Sequence, residues 1–485
     1  MLFEPENADA ILLEVPARAG VFALRGERET DQPYLTRAAD MRRRLRRLLL
    51  PPELVDADGK PVLSKRLNLR ERVRSIEWTE TGSEFESVLV LYRALHANFG
   101  EAEARKRMRL FPPYFLRVTM NHEHPRVHVT NRLSRRGLAE SFGPFASRAA
   151  AERMAEAVGD IFKLRRCHED LVVHPDHPGC AYGEMNRCMA PCKAACSAQD
   201  YAAEAQGVFA YLRSQGQSLM SEIAAKREAA SEAMDFEAAA ALHRQWEKAK
   251  AVAGSADPLV RAAGEVRALV IQEAPRLASG EGTEDAAVFL VENGGILGPE
   301  RLSTLGVRAV REQTAVGSSL FAQPLMLTAI PEKSKQTGEV PGATQASVSP
   351  EERARVALAA LHEQAHADGE PEAAERGDAL ALFKRWYYRP EKSRAGEVLL
   401  PNPDGSWPVR RLLNAAARVV LGPPAELPPV DREAAKALAE VADKESEEKK
   451  TRVLHPGREG VERVVPVLPK RTRRGKALLP SEVVQ

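Results

Sequence analysis

The sequence predicts an α+β protein built from several small units along one chain of 485 residues. Two observations support this: strand-like alternation and helical periodicity occupy different stretches, and long Ala-rich helical runs separate them. A third is that all five cysteines fall between Cys167 and Cys196, so one short segment differs in chemistry from everything else. The composition, 44% hydrophobic and 28% charged, is that of a globular protein rather than a collagenous or wholly disordered one.

Net charge excludes one class of protein. Seventy basic side chains against 68 acidic ones leave a formal charge of +2, which excludes a uniformly basic nucleic-acid-binding surface. The charge is unevenly spread, however, because residues 101–150 hold ten basic side chains and four acidic ones. A polyanionic partner would therefore meet the N-terminal part of the chain first.

The N-terminus is acidic and has no long apolar stretch behind it, which is unlike a signal peptide. The longest purely apolar runs are too short to cross a bilayer. We therefore expect a cytoplasmic protein with no membrane partner.

Sequence pattern divides the chain into eight regions. They are a small mixed α/β domain (12–100), a connecting α/β segment (101–165), a cysteine-rich segment (166–200), a helical region with a hairpin at about 217–252 (201–255), a small β-containing region (256–330), a linker rich in Lys, Ser, Thr, Gly and Pro (331–350), a mostly helical unit of unassigned role (351–421) and a charged tail expected to be disordered (422–485).

Within these regions the pattern predicts individual elements. Helices are expected at 85–97, 147–162, 198–215 and 217–252, and strands at 114–119, 126–130, 268–272, 287–292 and 296–305. Asn293-Gly294-Gly295, between two strand-like runs, predicts a tight hairpin turn.

Four cysteines form the strongest local motif, namely Cys167, Cys180, Cys188 and Cys192. Four thiolates suit either zinc or an iron–sulfur cluster. Structural zinc usually takes cysteines in two close pairs, and here only Cys188 and Cys192 are close, so the spacing favours a cluster. The alternatives are unligated small core residues, or a ligand from His168, His174 or His177, and Cys196 is interpreted as an extra thiol.

The surrounding residues resemble the cysteine segment of the bacterial UvrC family, the endonuclease subunit of the excinuclease in nucleotide excision repair. The resemblance is carried by Arg166-Cys167, by Cys180-Ala-Tyr182, by Asn-Arg187-Cys188-Met-Ala-Pro191-Cys192 and by Ser197-Ala-Gln-Asp-Tyr201. Upstream, His124-Pro125-Arg126-Val127 and Phe142-Gly143-Pro144-Phe145 are similar to the same family, and the similarity covers roughly residues 12 to 310. The resemblance implies an iron–sulfur cluster at the four cysteines, with zinc as the alternative.

The helical region resembles the short hairpin through which UvrC-type proteins bind the UvrB helicase subunit, a UVR domain. Phe236 is followed by small residues that would let a second helix approach closely. The resemblance implies that Phe236 is the anchor, Glu237 a polar contact, and Ala239 and Ala240 part of the partner-binding face. Alone, an Ala-rich amphipathic helix is more often plain packing, so that alternative stays open.

Residues 16–99 should then hold a GIY-YIG nuclease module, whose chemistry needs two tyrosines, an arginine and a metal-binding glutamate around the scissile phosphate. In this sequence Phe22 replaces the first tyrosine and Tyr34 keeps the second. Arg37 falls at the family's lysine position and Arg44 at the catalytic arginine. The neighbouring Arg42, Arg43, Arg46 and Arg47 contact either DNA phosphates or only solvent.

The metal-binding glutamate of this module falls on Leu91. On a helix, Glu86 is about 140° away from Leu91, and Glu84 shares its face but lies about 10 Å along the axis, so neither replaces it. Glu103 as a displaced ligand is an alternative. We therefore expect a degenerate nuclease that binds DNA, with Mg²⁺ or Mn²⁺ bound only if incision activity remains.

The second, RNase H-like nuclease of full-length UvrC proteins is not predicted, because its Asp-x-Ser-His pattern is absent after Asp257. Pro456-Gly457-Arg-Glu-Gly460 is only a weak echo of a helix-hairpin-helix. Trp386, Tyr387 and Tyr388 either stack on bases or, as we favour, form the core of a helical unit.

The leading hypothesis is a UvrC-like component of nucleotide excision repair that binds DNA and a UvrB-like helicase subunit, with impaired or absent incision. One alternative is an active metal-dependent endonuclease of the short UvrC-homologue type, with a rearranged metal ligand. A second alternative is an adaptor outside repair that uses the hairpin alone.

Overall fold

The computed structural model describes residues 1–28, 30–50, 67–135, 137–276, 285–307, 349–367, 373–422, 452–454 and 462–464. The chain divides into two units, Met1–Pro423 and Pro424–Gln485. In the second unit the strands β12 (Arg452–Leu454) and β13 (Glu462–Val464) form an antiparallel pair. The predicted linker, apart from its last two residues, and nearly all of the predicted tail lie outside the described residues.

The N-terminal part of the first unit is a three-stranded antiparallel sheet in the order β2-β1-β3. Its elements are α1 (Ala8–Glu14), β1 (Gly20–Arg25), β2 (Tyr34–Ala38), α2 (Met41–Leu49) and β3 (Ser75–Glu80). Asp40 caps α2 by accepting a hydrogen bond from the Arg43 backbone N–H. Met41 and Leu45 bury one face of α2 against the sheet, which leaves its arginines on the other face.

Helix α3 (Glu84–Met108) follows and belongs to two parts of the molecule. It begins at the Ser83 cap, lies against β1 and β2, and is interrupted at Gly100, whose φ of 77° is outside the helical range. Its buried Phe85 contacts Phe289 at 5.2 Å and Trp386 at 5.3 Å between ring centroids. The helix therefore joins the N-terminal sheet to a core formed by residues far along the chain.

A second antiparallel sheet has the order β5-β4-β6-β7. Its strands are β4 (Tyr114–Val118), β5 (Val127–Thr130), β6 (Ser141–Phe145) and β7 (Arg261–Ala262), and α4 (Arg148–Ile161) packs on it. The predictions of β4, β5 and α4 are confirmed, with Ser147 as the cap of α4. Strand β6 was not predicted as a strand.

Beyond the cysteine-rich segment, with its one-turn helix α5 (Ala181–Glu184), come α6 (Ala198–Arg213), α7 (Gln217–Glu232) and α8 (Phe236–Ser255). The helical stretch predicted to hold a hairpin at about 217–252 forms two helices, because the chain turns at Ala233–Asp235, where Met234 has a left-handed φ of 57°. Helices α7 and α8 pack on each other as a hairpin.

A third antiparallel sheet has the order β10-β9-β8-β11. Its strands are β8 (Ala268–Glu273), β9 (Asp285–Glu292), β10 (Gly295–Ser303) and β11 (Glu397–Leu399). Alternate side chains of β8 and β9 point to opposite faces. One face packs on α3 and α10 (Ala373–Tyr387), and the other on α9 (Pro350–Ala367) and α11 (Val409–Leu421).

This sheet unites two stretches that the sequence pattern treated separately, since β11 of the helical stretch pairs with β8 of the β-containing one. The predicted turn is confirmed: Asn293 and Gly294, with φ of 52° and 75°, connect β9 to β10. Trp386 is buried, Tyr387 donates to Asp257 (2.9 Å) and Tyr388 to the Pro144 carbonyl (2.9 Å). These aromatic residues are core, as favoured, and base stacking on Trp386 is excluded.

The mixed α/β architecture predicted from sequence is therefore confirmed at that level. Among the described residues, every helix is too short or too polar to pass through a bilayer.

Candidate cofactor and nucleic-acid sites

The cysteine-rich segment has almost no core of its own. From Lys163 to Ser197 it contains only α5 and a short 3-10 helix (Pro191–Lys193). Only five side chains in this stretch are buried: Leu164, Arg165, Cys188, Pro191 and Cys192. So little burial cannot offset the entropy of ordering a segment of this length, so its conformation depends on cross-links and on anchoring to its neighbours.

The four predicted thiol ligands all lie in this segment. Cys188 and Cys192 are buried, and all five cysteines are free of disulfides. Burial raises the pKa of the Cys188 thiol, and the neighbouring Cys180, Cys167 and Cys192 raise it further. The pKa of Cys196 is raised by burial, by Asp200 and by Cys192. Of the four predicted ligands, only Cys192 contributes to this shift.

The donor set fits a thiolate-bound centre in chemistry and in number. However, among the described residues no three Cys, His, Asp or Glu side chains lie close enough together to hold a metal ion. The Cys188 Sγ accepts a hydrogen bond from the Ala190 N–H at 3.3 Å, the kind of contact that stabilises a thiolate. Ligation of one centre would therefore require the four thiols to lie closer together than they do in this structure.

Two buried polar side chains fasten the start of this segment to the second sheet. The Tyr201 hydroxyl donates to the Pro125 carbonyl (2.8 Å) and accepts from the Arg165 backbone N–H (2.9 Å). The Arg165 guanidinium, buried to 4% exposure, donates to the carbonyls of His124 (2.9 Å) and Glu169 (2.8 Å). Sequence reasoning did not find Arg165, whose only signal was its place two residues before the first cysteine.

A second set of contacts ties the segment to α4. Arg166 and Arg187 both reach the Asp160 carboxylate, at 3.0 and 3.3 Å. Arg126 at the start of β5 donates to the Cys167 carbonyl at 3.0 Å. The two stretches that carry the family resemblance, around Pro125 and around Cys167, are therefore in direct contact.

The helical hairpin projects from the molecule. Its buried residues, Ile223 and Ala249, lie near its base, and no residue between 224 and 248 is buried. At the tip, Met234 is 77% exposed and Phe236 is 70% exposed. Asp235 caps α8 by accepting from the Ala238 N–H (3.0 Å), which fixes the tip without covering its apolar side chains.

The strand residues of the nuclease-like module face in different directions. Phe22 is fully buried in the N-terminal core, so it takes no part in a solvent-accessible site. Tyr34 packs against that same core, on the side of α2. Arg37, three residues along β2, points to the opposite face, where its Nη1 pairs with Glu84 of α3 at 3.1 Å.

The arginines of α2 divide into two groups. Arg42 donates to the carbonyls of Val15 (2.7 Å) and Leu13 (2.9 Å), and Arg46 pairs with Asp9 at 3.2 Å. In the described part of the chain, the guanidinium groups of three others have no hydrogen-bond or ion-pair partner: Arg43, Arg44 and Arg47. These three lie within about 100° of one another around the helix.

The carboxylates near Leu91 are already engaged. Glu84 accepts from Arg389 at 2.7 and 3.2 Å as well as from Arg37, and these arginines lower its pKa to about 2. Glu86 is buried and accepts from the Gly82 N–H at 2.8 Å. Glu103 pairs with Arg107 (2.9 Å) and Lys106 (3.8 Å), beyond the interruption at Gly100.

Three carboxylates on the strands of the third sheet are each paired with an arginine. Asp285 pairs with Arg301 at 3.3 Å, and Glu292 and Glu397 pair with Arg267 and Arg418. In this part of the described chain these three carboxylates each pair with one arginine, and no three acidic side chains are gathered in one place.

Residues 114–211, from β4 almost to the end of α6, match the family described as UvrC/Cho excinuclease, middle domain. The class defined by the fold and the site is thus a protein with an excinuclease-type middle domain and its cysteine segment.

Curated relatives carry the name UvrABC system protein C. That of Aliivibrio salmonicida is 27% identical over 252 residues, which is 51% of this chain and 39% of the relative. That of Hyphomonas neptunium is 29% identical over 48% of this chain and 36% of the relative. That of Alcanivorax borkumensis is 30% identical over 37% of this chain and 29% of the relative.

Residues 114–211 of this chain are therefore similar to the UvrC/Cho middle domain, in line with the resemblance carried by the cysteine motif. The chain spans less than half the length of these curated relatives. No solved structure matches it.

The ion pairs of Glu84 with Arg37 and Arg389 predict how the stability of the fold depends on pH. Because the folded pKa of about 2 is below the ordinary value of 4.5, these ion pairs stabilise the fold above pH 4.5, and the stabilisation disappears as the pH falls through 2. In the Arg389→Ala variant the Glu84 pKa should rise towards 4.5, as measured by NMR titration of carboxyl-labelled glutamate. The pKa of Glu103, which Arg107 lowers, is the control and should not move. An unchanged Glu84 pKa would contradict the ion pair between Glu84 and Arg389.

Proposed function

We propose that this chain is a component of nucleotide excision repair that binds DNA and a UvrB-like helicase subunit, with impaired or absent incision. The observation that carries the proposal is that a helical hairpin with an exposed tip follows the matched middle domain directly in the sequence. A helix-capped tip with two exposed apolar side chains, Met234 and Phe236, offers a contact for a partner helix.

Impaired incision is supported by the residues around Leu91. Leucine cannot bind a metal ion, and the one carboxylate on the same helix face, Glu84, is held by two arginines. The first motif tyrosine is replaced by the buried Phe22. A metal ion supplies several kcal/mol of transition-state stabilisation, so its loss slows hydrolysis by roughly a thousand-fold or more, at about 1.36 kcal/mol per factor of ten.

The alternative of an active endonuclease depends on Glu103 or another displaced carboxylate. Glu103 lies twelve residues beyond Leu91 and across the helix interruption at Gly100, and it already pairs with Arg107. The second alternative, an adaptor outside repair, uses the hairpin but has no need of the unpaired arginines on α2. The experiments below separate all three.

We further propose that Cys167, Cys180, Cys188 and Cys192 hold an iron–sulfur cluster, with zinc as the alternative. Such a centre would cross-link a segment that has almost no core of its own. Arg165, Tyr201 and Arg126 would hold the cysteine-bearing backbone in place from the protein side.

The four-cysteine proposal predicts the composition of the purified protein. Anaerobic preparation should give a coloured protein with stoichiometric iron and sulfide, measured by elemental analysis and ultraviolet–visible absorption. The Cys192→Ser variant should lose both, whereas Cys196→Ser, the matched control, should keep them. Zinc in place of iron would contradict the cluster but support the four-cysteine ligand set. Metal-free wild-type protein would contradict both the cluster and the ligand set.

The hairpin proposal predicts a weaker complex when the tip is truncated. Phe236→Ala should weaken binding to a purified UvrB-type helicase by about tenfold or more, because interface anchors of this kind typically contribute that much. Calorimetry or surface plasmon resonance would measure the change. Leu13→Ala is the matched control, since it removes an apolar side chain of 62% exposure elsewhere. Equal affinity of Phe236→Ala and wild type would contradict the proposal that the hairpin tip binds the helicase.

The α2 arginines predict DNA binding without cutting. Duplex binding should fall steeply with salt, and Arg43→Ala/Arg47→Ala should reduce the slope of log K against log salt by about 1.8, at roughly 0.9 per phosphate contact. Supercoiled plasmid should stay intact with added Mg²⁺ or Mn²⁺.

Arg46→Ala/Arg148→Ala is the control for this pair, because both arginines are exposed and already paired with carboxylates. Metal-dependent nicking lost in Tyr34→Phe or Arg44→Ala would establish the active endonuclease instead. Absence of any duplex binding would favour the adaptor.

A further inference from the structure

An exposed aromatic side chain is fixed between the end of α3 and the start of β4. Leu110 is buried in the core and its N–H bonds to the Arg105 carbonyl at 2.9 Å, which ends the helix. Phe111 follows and is 78% exposed. Pro112 and Pro113 come next and restrict the backbone. The buried Leu110 before it and the two prolines after it therefore keep Phe111 exposed to solvent.

Strand register brings a second stretch beside this one. In the antiparallel pair β4–β5, Phe115 is opposite Thr130, so continuing the register places Pro113 next to Arg132. The chain before β4 and the chain after β5 therefore leave the sheet at the same end. Leu133 packs into the same core as Leu110, which keeps the two stretches together.

A third stretch reaches the same place from α10. The exposed Arg385 donates from Nη1 to the carbonyl of Met108, the last residue of α3, at 3.2 Å. We call the side chains of Arg109, Phe111, Arg132, Arg135 and Arg385 the basic–aromatic surface.

This surface carries positive charge that the protein does not neutralise. Residues 104–122 and 124–139 contain no Asp or Glu at all. In the described part of the chain, Arg109, Arg132 and Arg135 are exposed and their guanidinium groups have no ion-pair or hydrogen-bond partner. Most other exposed arginines of this unit do have such partners, for example Arg148 with Glu152 (2.7 Å) and Arg213 with Glu265 (2.8 Å).

We infer that the basic–aromatic surface binds single-stranded DNA, with phosphates on Arg109, Arg132 and Arg135 and an unstacked base on Phe111. Unpaired guanidinium groups around an exposed ring are the combination that binds single strands, because every base has a face that can stack on an aromatic ring. A duplex would use the arginines but not the ring, since its bases are already stacked. This inference rests on the proposed function for its substrate and adds a surface outside the nuclease-like module.

The test compares two variants on a labelled 20-nucleotide single strand by fluorescence anisotropy across a salt series. Arg109→Ala/Arg132→Ala/Arg135→Ala should reduce the slope of log K against log salt by about 2, at roughly 0.7 per phosphate contact on single strands. Phe111→Ala should lower single-strand affinity by roughly fivefold or more and leave duplex affinity nearly unchanged, and Phe111→Trp should restore it.

Arg148→Ala/Arg213→Ala/Arg355→Ala is the matched control, with the same loss of charge from exposed, carboxylate-paired arginines. Equal slopes for the two triple variants would overturn the inference. So would a Phe111→Ala effect of the same size on duplex and single strand, or displacement by polyglutamate as effective as by DNA, which would indicate an acidic protein partner. Thermal unfolding by circular dichroism checks that each variant is folded.

Failure of this inference is distinguishable from failure of the proposed function. If Arg43→Ala/Arg47→Ala weakens DNA binding while the basic–aromatic variants do not, the proposed function stands. In that case the inference that the basic–aromatic surface binds single strands is wrong. If wild-type protein binds neither duplex nor single strand, both are wrong.

Discussion

The middle of this molecule depends on a pair of buried hydrogen bonds made by one tyrosine. Tyr201 joins α6 to the Pro125 carbonyl on one side and to the Arg165 backbone on the other, within a core that excludes water. Removing such a hydroxyl would leave a buried donor and a buried acceptor unpaired, which costs about 1–3 kcal/mol for each. Because the cysteine segment has so little core, this anchor holds it in place together with the contacts of Arg165, Arg126 and Asp160. The placement of the candidate cofactor site is thus constrained by residues outside the four ligands.

Helix α3 imposes a second constraint, because its N-terminal end contacts different parts of the molecule. Phe85 packs into the third sheet, while Glu84, one residue earlier, bridges Arg37 of the N-terminal sheet and Arg389 after α10. A carboxylate used to join two parts of a protein cannot also remain available for a metal ion. The face of α3 that would present a catalytic glutamate therefore has leucine at one position and a structural ion pair at the other.

Local chemistry made part of this structure predictable. The Asn293-Gly294 turn, the Ser147 cap and the alternation of β4 and β5 each follow from residues a few positions apart. The pairing of β11 with β8 joins residues more than a hundred positions apart, and a three-residue strand carries no periodic signal. The cysteine spacing indicated a shared site, but the burial of Arg165 is set by carbonyl groups on a distant strand. Single-sequence patterns do not contain that information.

Under the proposed function, the N-terminal module would keep its fold without nuclease chemistry. Its stability comes from apolar positions such as Phe22, Met41, Leu45 and Ile76, all essentially fully buried, and none of them depends on a bound metal. Replacing a metal-binding carboxylate by leucine, or a tyrosine by phenylalanine, removes polar groups and leaves such a core intact. Meanwhile Arg43, Arg44 and Arg47 stay on the solvent side of α2 without carboxylate partners. Phosphate attraction needs only that positive charge, so the module would still bind DNA if, as proposed, it does not cut it.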